Sequence, residues 1–336
     1  MSYSKPRIKT TVVGSYPVPD WLRALPSEQA LIDATRAVIG TQESAGLDVV
    51  CDGELYRFDS DHPETNGMID YFIRPMGGIS TTLTREDLAR FAAEQRMRFR
   101  TQPAGVVDGP LTEGTLNLPR DWQRFQGLSS ADTMFTFTAP YMLARTLVDQ
   151  HHGDIRDLTM ALAEVLRKQV EPIDAPVIQM DEAHLTGHAE DADWAHEPFN
   201  HALGGIRGEK ALHLCFGNYG GQSIQKGYWR DLMPFLNRLD VDHLVLEFAR
   251  RGYDELEAFN ELNPEIKLGI GVVDIKDNEV EPTDVIASRI ENAVAILGIE
   301  RIKWVHPDCG FWMLARSVAD RKMAALVAGR DQFLGC

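Results

Sequence analysis

Eight short apolar runs recur along the 336-residue chain, and longer segments with helical periodicity separate them. The runs are apolar almost throughout, as expected for parallel strands that are covered on both faces. Eight such strands alternating with helices favour an α/β fold, a single (β/α)8 TIM barrel that spans residues 1–336 as one domain. An open doubly wound sheet is the alternative, but no G-x-G-x-x-G motif follows any run. The predicted strands are Ile8–Val13, Asp48–Cys51, Met134–Thr138, Val177–Met180, Lys210–Phe216, His243–Phe248, Lys267–Val273 and Ile302–Val305.

Two segments are longer than the minimal repeat. Glu54–Asp132 contains Met97–Gln102 and Gly105–Leu111, which we expect to pair as an accessory hairpin after the second strand. His184–Leu203 is polar and rich in histidine, and we expect it to form a loop after the fourth strand. Both follow strand ends at which barrel enzymes build their sites. The helices predicted from amphipathic periodicity are Ser27–Ser44, Tyr141–Asp149, Ile155–Gln169 and Pro282–Leu297.

Charge and cysteine content narrow the class of protein. With 34 Lys and Arg against 50 Asp and Glu, the net charge of −16 argues against a nucleic-acid partner, which requires a basic face. No apolar run approaches the ~20 residues of a membrane span, and the first residues lack the apolar stretch of a secretory signal. Four cysteines in a chain of this length do not form a disulfide framework. We therefore expect a cytoplasmic enzyme.

A possible metal site begins with the pair His213 and Cys215. Side chains two residues apart on a strand share a face, and zinc takes imidazole and thiolate ligands. Glu247 ends the predicted sixth strand and Cys309 follows the eighth, so four ligand types converge on one barrel mouth. The H-x-C spacing is short and common, and these residues are equally compatible with an ordinary core. Ligands from three distant strand ends favour a catalytic site over a structural one.

Further motifs accompany this set at predicted strand ends. Together with the H-x-C pair and Glu247, they make the chain resemble the catalytic, C-terminal half of cobalamin-independent methionine synthase, from about Thr10 to Gly310. The wider superfamily includes uroporphyrinogen decarboxylase-like barrels. The N-terminal barrel of full-length members has no counterpart in this sequence, which puts the use of a folate donor in doubt. The motifs that carry the resemblance are Thr10–Ser15, Asp52–Glu54, Gln179–Glu182 and Pro307–Gly310.

The resemblance implies a methyltransferase that uses Zn2+ to activate a thiol, most of all homocysteine, which would give methionine. The implied metal ligands are His213, Cys215, Glu247 and Cys309. Free thiols titrate near pH ~8.5, whereas a thiol that binds zinc is deprotonated outright, so a zinc thiolate would be the nucleophile at neutral pH. Glu247 would yield its place as the substrate sulfur arrives.

The resemblance also implies contacts for the amino-acid end of the substrate. Glu54 and Asp181 would hold an ammonium group, and the backbone at Val13, Gly14 and Ser15 would bind a carboxylate. A glycine suits close backbone approach, and successive N–H groups form an anion-binding nest. A solvated loop carboxylate is the alternative for Glu54, and a cap on the following helix is the alternative for Asp181.

Lys276 departs from the family pattern, because folate-dependent members carry a histidine there that helps to protonate the departing folate nitrogen. A lysine, with a reference pKa of ~10.4, is a poor proton donor at neutral pH unless it is desolvated. We therefore expect a donor that needs no leaving-group protonation, such as a methylcorrinoid on a partner protein, a sulfonium or a quaternary amine. The predicted catalytic residues are Glu247, Asp181 and Lys276.

Two other functions remain open at this stage. One is zinc-dependent alkyl transfer to a different thiol, such as epoxide opening by coenzyme M. Two carboxylates, Glu54 and Asp181, would favour an amino-acid thiol over that anionic one. The other is a non-catalytic, thiol-binding subunit of a larger methyltransferase, for which zinc binding without turnover would be the signature.

Overall fold

The computed structural model describes residues 8–94, 100–218 and 221–336. Its strands include a counterpart for each of the eight that the sequence predicts. At the first and second of them, the regular ladder is shorter than predicted, because the following residues leave it to build the barrel mouth. The strands are β1 (Lys9–Thr10), β2 (Val49–Val50), β3 (Gly77–Ser80), β4 (Gly105–Thr112), β5 (Asp132–Thr138), β6 (Leu147–Asp149), β7 (Val177–Glu182), β8 (Glu209–Leu214), β9 (His243–Leu246), β10 (Lys267–Val273) and β11 (Ile302–Pro307).

Eight strands form one parallel sheet in the order β1-β11-β10-β9-β8-β7-β5-β2. Hydrogen bonds join the first and last strands of this sheet at residues in and beside them. The Asp48 amide donates to the Thr10 carbonyl at 3.1 Å, and the Thr11 hydroxyl donates to the Val49 carbonyl at 3.2 Å. The sheet therefore curls into a barrel, and the predicted α/β barrel fold is confirmed.

Helices cover the outside of the barrel, and local sequence signals set their ends. Ser27 accepts a hydrogen bond from the Ala30 amide at the start of the second helix, and Gly46 closes it in the left-handed conformation. None of the helices in the described ranges is long and apolar enough to cross a membrane. They are α1 (Asp20–Ala24), α2 (Glu28–Ala45), α3 (Asp70–Ile73), α4 (Arg85–Ala93), α5 (Leu118–Phe125), α6 (Pro140–Arg145), α7 (Ile155–Val170), α8 (Ala192–Ala202), α9 (Trp229–Leu236), α10 (Thr283–Leu297) and α11 (Arg316–Leu334).

A three-stranded accessory sheet follows β2, as expected, but with different pairing. β3 pairs antiparallel with β4, and β4 pairs parallel with β6. The predicted hairpin partner Met97–Gln102 is wrong over residues 100–102, which are irregular, and residues 95–99 lie outside the described ranges. The Gly77–Gly78 pair explains the difference. A Cβ on Gly78, whose φ is +82°, would lie 2.3 Å from the Pro110 carbonyl oxygen, so glycine permits this close approach.

Two helical assignments also differ from expectation. The segment predicted as one helix over Tyr141–Asp149 ends at Arg145, because the Thr146 hydroxyl turns back to the Leu143 carbonyl at 2.7 Å and β6 begins. The segment expected as a polar loop over His184–Leu203 is mostly the helix α8. Its apolar residues recur every three or four positions and pack into the core, a period that the interleaved polar residues obscure.

Candidate metal centre and substrate pocket

Three of the four predicted metal ligands converge at the carboxyl ends of the barrel strands. His213 lies on β8, Cys215 follows that strand, and Cys309 follows β11. Their ligand atoms all lie within 4.8 Å of one another, and the two sulfur atoms are 3.8 Å apart. The barrel brings them together because parallel strands end at the same mouth.

His213 is held in the form that a metal ligand needs. Its Nδ1 lies 3.0 Å from the Val245 carbonyl oxygen, which can only accept, so Nδ1 carries a proton and, in the neutral imidazole, the lone pair is on Nε2. Nε2 is buried and has no hydrogen-bond partner among the described residues. A buried polar atom without a partner is costly unless a ligand satisfies it, and an imidazole nitrogen beside two sulfur atoms fits a metal ion.

The two thiols have opposite pKa shifts. Contact with Cys309, followed by burial, raises the pKa of Cys215 well above its ordinary value. Contact with Cys215 outweighs burial and lowers the pKa of Cys309 well below its ordinary value, with help from His213 and Lys276. One proton is thus lost readily from the pair, and the Lys276 ammonium nearby stabilises the resulting thiolate.

Glu247 lies beside the cluster but not within it. Its Oε1 accepts a hydrogen bond from the Lys276 ammonium at 2.6 Å, and its Oε2 accepts one from the Phe216 amide at 2.9 Å. Both side chains of the ion pair are buried, at 1% and 0% exposure. Burial lowers the pKa of Lys276, but the charge of Glu247 more than compensates and raises it. Lys276 is therefore a buried, paired cation.

Asp308, which the sequence analysis left without a role, connects the loops that carry Glu247 and Cys309. Its carboxylate accepts hydrogen bonds from the amides of Phe248, Ala249 and Arg250 at 2.9, 2.8 and 2.7 Å. Burial, followed by the charge of Glu247, raises the pKa of Asp308 to about 7. Its position directly before Cys309 in the P-D-C-G motif is the sequence feature from which a role for Asp308 could have been predicted.

A cavity of about 310 Å³ opens onto the cluster. Gly14, a predicted substrate contact, is not among the residues that line it, but it packs against the lining residue Glu54, since a Cβ on Gly14 would lie 2.2 Å from Glu54 Oε1. The backbone at this edge is fixed, because the Val13 carbonyl accepts from Gln179 and the Ser15 carbonyl accepts from the Phe311 amide. The predicted residues that line the cavity are Val13, Ser15, Glu54, Asp181, His213, Cys215 and Cys309.

The Glu54 side chain is only 8% exposed and is firmly held in this wall, which removes the alternative of a solvated loop carboxylate. Its Oε2 lies 2.9 Å from Arg57 Nη1, and its Oε1 accepts from the Thr136 hydroxyl at 2.7 Å. Arg57 also donates to the Thr136 carbonyl at 2.7 Å. Sequence reasoning missed Arg57, although the three-residue spacing from Glu54 places both on one short 3₁₀ turn.

Asp181 faces the same cavity. Its Oδ1 accepts from the Gln179 amide at 2.7 Å, and the side chain is buried rather than capping a helix. Burial, and then the charge of Glu54, raises the pKa of Asp181 to about 8. These surroundings favour the neutral form of Asp181 at pH 7, and an adjacent cation would favour its ionised form.

Comparisons with known proteins extend these observations. A methionine synthase from Saccharolobus islandicus is 26% identical to the chain, over 96% of the chain and 94% of that protein. A methionine synthase from Sulfolobus acidocaldarius is 27% identical, over 96% and 91%. The structure of a B12-independent methionine synthase from Shewanella sp. W3-18-1, in complex with selenomethionine, has a TM-score of 0.81 at 21% identity. It covers 98% of both chains and supports the barrel fold.

The model of one family, described as the catalytic domain of cobalamin-independent synthase, matches residues 8–330. This match confirms the resemblance found in the sequence and the expectation of an enzyme of the methyltransferase class. It is at odds with the expected methylcorrinoid donor, because the family is defined as cobalamin-independent. The pairing with Glu247 raises the pKa of Lys276, so the lysine remains a poor proton donor. The error lay in the next step, because a poor proton donor at residue 276 does not by itself identify a corrinoid as the methyl donor. The chain belongs to the family of cobalamin-independent synthase catalytic domains.

Proposed function

We propose that this chain is a zinc-dependent methyltransferase that methylates the thiol of homocysteine to give methionine. The observation that carries the proposal is the shared cavity, in which the cluster of His213, Cys215 and Cys309 faces the carboxyl groups of Glu54 and Asp181. In this cavity, a metal ion on the His213, Cys215 and Cys309 cluster would bind a thiol, and the carboxyl groups would bind an ammonium group. The methionine synthases of similar length support the same assignment.

The residues present fit a zinc ion. His213, Cys215 and Cys309 would hold it through one nitrogen and two sulfur atoms, with Glu247 as the neighbouring carboxylate. Bound zinc would lower the pKa of the substrate thiol, so that the thiol reacts as its thiolate at neutral pH.

The protein's own side chains would position the amino-acid end. Glu54, fixed by Arg57 and Thr136, would accept hydrogen bonds from the ammonium group. Asp181 would do the same after losing its proton, because an adjacent cation favours the carboxylate. The N–H groups of Val13–Ser15 would bind the carboxylate of the substrate. In the reaction the sulfur–methyl bond would form as the bond between the methyl group and its donor breaks, and the donor would keep that bond's electron pair. The thiol proton would go to solvent; a sulfonium donor would leave as a neutral sulfide, and 5-methyltetrahydrofolate would take up a proton from solvent at the departing nitrogen.

A turnover assay tests the proposal. Zinc-loaded protein is incubated with homocysteine and either 5-methyltetrahydrofolate or trimethylsulfonium, and methionine is quantified by mass spectrometry. We expect methionine from the wild type and a loss of at least ~100-fold in C309S, since metal activation contributes several kcal/mol. The matched control is C336S, which changes an exposed cysteine outside the cluster and should retain full activity.

Two outcomes would contradict the proposal. One is equal turnover in C309S and wild type with a competent donor. The other is faster methylation of 2-mercaptoethanesulfonate than of homocysteine, because an anionic thiol without an ammonium group gains nothing from Glu54 and Asp181.

A further inference from the structure

The seam between β1 and β2 is closed by a different kind of contact from the rest of the barrel. Among the described residues, no ladder pairs these two strands, and past each of them the chain forms a segment beside the cavity. The Tyr16 amide donates to the Gly53 carbonyl at 3.0 Å. The Cys51 thiol donates to the Gly14 carbonyl at 2.9 Å. These two hydrogen bonds connect the segments that follow β1 and β2.

Cys51 is itself firmly held and keeps its proton. Its amide donates to Gln42 Oε1 at 3.0 Å, and Gln42 Nε2 donates to its carbonyl at 2.8 Å. The side chain is only 1% exposed. Burial, followed by the charge of Asp52, raises the pKa of the Cys51 thiol well above its ordinary value. The thiol is therefore protonated at neutral pH and able to donate.

The hydrogen bond from Cys51 sets the direction of the next backbone N–H group. The peptide bonds of the described residues are all trans, so the Gly14 carbonyl and the Ser15 N–H point in opposite directions. With the carbonyl on Cys51, the Ser15 N–H points away from it. Ser15 lines the cavity, and its N–H donates no hydrogen bond to the described residues. Since glycine permits many backbone conformations, this peptide needs an anchor to keep one orientation.

We propose that Cys51 is a positioning residue for substrate binding, whose thiol fixes the Gly14–Ser15 peptide so that the Ser15 N–H meets the carboxylate of homocysteine. The inference rests on the proposed function, which assigns that carboxylate to the Val13–Ser15 backbone. Cys51 is not among the residues that line the cavity, so it acts through the peptide and not by touching the substrate.

The test compares zinc-loaded wild type with C51A and C51V, which lack the thiol, and with C51S, which retains a donor. The matched control is T159A, because the Thr159 hydroxyl is another buried donor to a backbone carbonyl, that of Ile155 at 2.6 Å, on α7 outside the cavity. Calorimetry measures the Kd of homocysteine and of 3-aminopropane-1-thiol, which has the thiol and the ammonium group but no carboxylate. Steady-state kinetics with homocysteine gives KM and kcat.

We expect C51A and C51V to raise the Kd and the KM of homocysteine about 10-fold or more, because its carboxylate loses a charge-assisted hydrogen bond. Both variants should leave kcat and the Kd of 3-aminopropane-1-thiol unchanged. C51S should stay within about 3-fold of the wild type, since a hydroxyl also donates. T159A should match the wild type with both ligands.

Three results would overturn the inference. One is an unchanged Kd of homocysteine in C51A or C51V, and another is an equal loss of affinity for both ligands, the pattern of a structural role alone. The third is equal affinity of the wild type for the two ligands, which decides the matter even if neither apolar variant folds. A wild type that binds homocysteine more tightly than 3-aminopropane-1-thiol but forms no methionine would instead refute the proposed function, so the two failures are distinguishable.

Discussion

Glu54 has a backbone conformation that few residues other than glycine adopt, with a φ of 58°. This backbone conformation costs free energy, so it persists only where the surrounding contacts impose it. Here Arg57 and Thr136 hold the Glu54 side chain against Gly14. The carboxylate oxygen occupies the space that a Cβ on Gly14 would take. At the scale of single residues, the position of the Glu54 carboxylate therefore depends on the absence of a Cβ at Gly14.

Gly14→Ala should raise the KM for homocysteine at least ~10-fold, because a Cβ 2.2 Å from Glu54 Oε1 forces the carboxylate to move. Zinc content should stay unchanged, since Gly14 is not in the cluster. Steady-state kinetics and metal analysis check both. The control is Gly40→Ala on α2, where a Cβ meets nothing within 4 Å. It should keep the KM and gain about 0.5–1 kcal/mol of stability. An unchanged KM in Gly14→Ala would contradict the assignment of Glu54.

Asp52→Asn tests a buried carboxyl next to this site. Burial raises the pKa of Asp52 to about 7, and its Oδ2 lacks a hydrogen-bond partner among the described residues. A raised native pKa gives stability that is fully present below the unfolded value of about 4 and is lost as pH rises to about 7. Wild type should therefore lose about 2–3 kcal/mol relative to Asp52→Asn between pH 5 and pH 7, measured by urea unfolding. A constant difference across this range would contradict it.

The sequence predicted the candidate metal ligands more successfully than the charged residues that fix the carboxylates of the site. His213, Cys215 and Cys309 have side chains that only a few roles explain, and their strand positions follow from apolar runs. The partners Lys276 and Arg57 are far less specific, because a charged side chain is usually solvated. Only the packed barrel shows that each one is buried against a carboxylate.

At the scale of elements, hydrogen bonds connect the loop after β9 with the loop after β11. Asp308, after β11, accepts hydrogen bonds from three consecutive amides after β9, so it ties the loop that bears Glu247 to the loop that bears Cys309. Charge-assisted hydrogen bonds of this kind fix loops more firmly than neutral ones.

Asp308→Ala should therefore weaken zinc binding about 10-fold or more, measured by chelator competition, because Cys309 loses its fixed position. Asp154→Ala is the matched control. Asp154 also accepts from two backbone amides, those of Arg156 and Asp157, but it caps α7 away from the cluster. That variant should lose about 1 kcal/mol of stability and retain wild-type zinc affinity. Equal zinc affinity in both variants would show that the Asp308 loop does not position the ligand.

Helices and strands could be predicted where a single hydrophobic pattern runs through the segment, and not where other residues interrupt that pattern. The eight barrel strands are continuous apolar runs, and all eight were found. The accessory sheet depends on Gly77 and Gly78, whose signal is the absence of side chains rather than a hydrophobic period. In α8 the buried stripe is interrupted by histidines and carboxylates, so the segment looks like a loop until its packing is seen.

At the scale of the whole molecule, a metal at the cluster would tie together segments from distant parts of the chain. His213 and Cys215 lie near residue 214, and Cys309 lies almost 100 residues later, so binding is possible only in the folded barrel. A ligand that binds only the native state raises its stability by mass action.

Zinc at about 100 times its Kd should therefore stabilise the wild type by about 2.7 kcal/mol, and a chelator should remove that increment. Denaturant unfolding with and without zinc measures it. C309S should show a much smaller increment, whereas C336S, altered at an exposed cysteine, should match the wild type. A full increment in C309S would place the zinc elsewhere.

The most direct measurement of the central claim is the number of protons released when homocysteine binds to the zinc-loaded protein at pH 7. Calorimetry in buffers of different ionisation enthalpy gives this number. Methionine is the control, because it has the same amino-acid end and therefore the same effect on Asp181, but no thiol proton. The account predicts that homocysteine releases about one proton more than methionine, because a free thiol with a pKa of about 8.5 is still protonated at this pH. Equal release by the two ligands would show that the site does not activate the thiol, and would contradict the account.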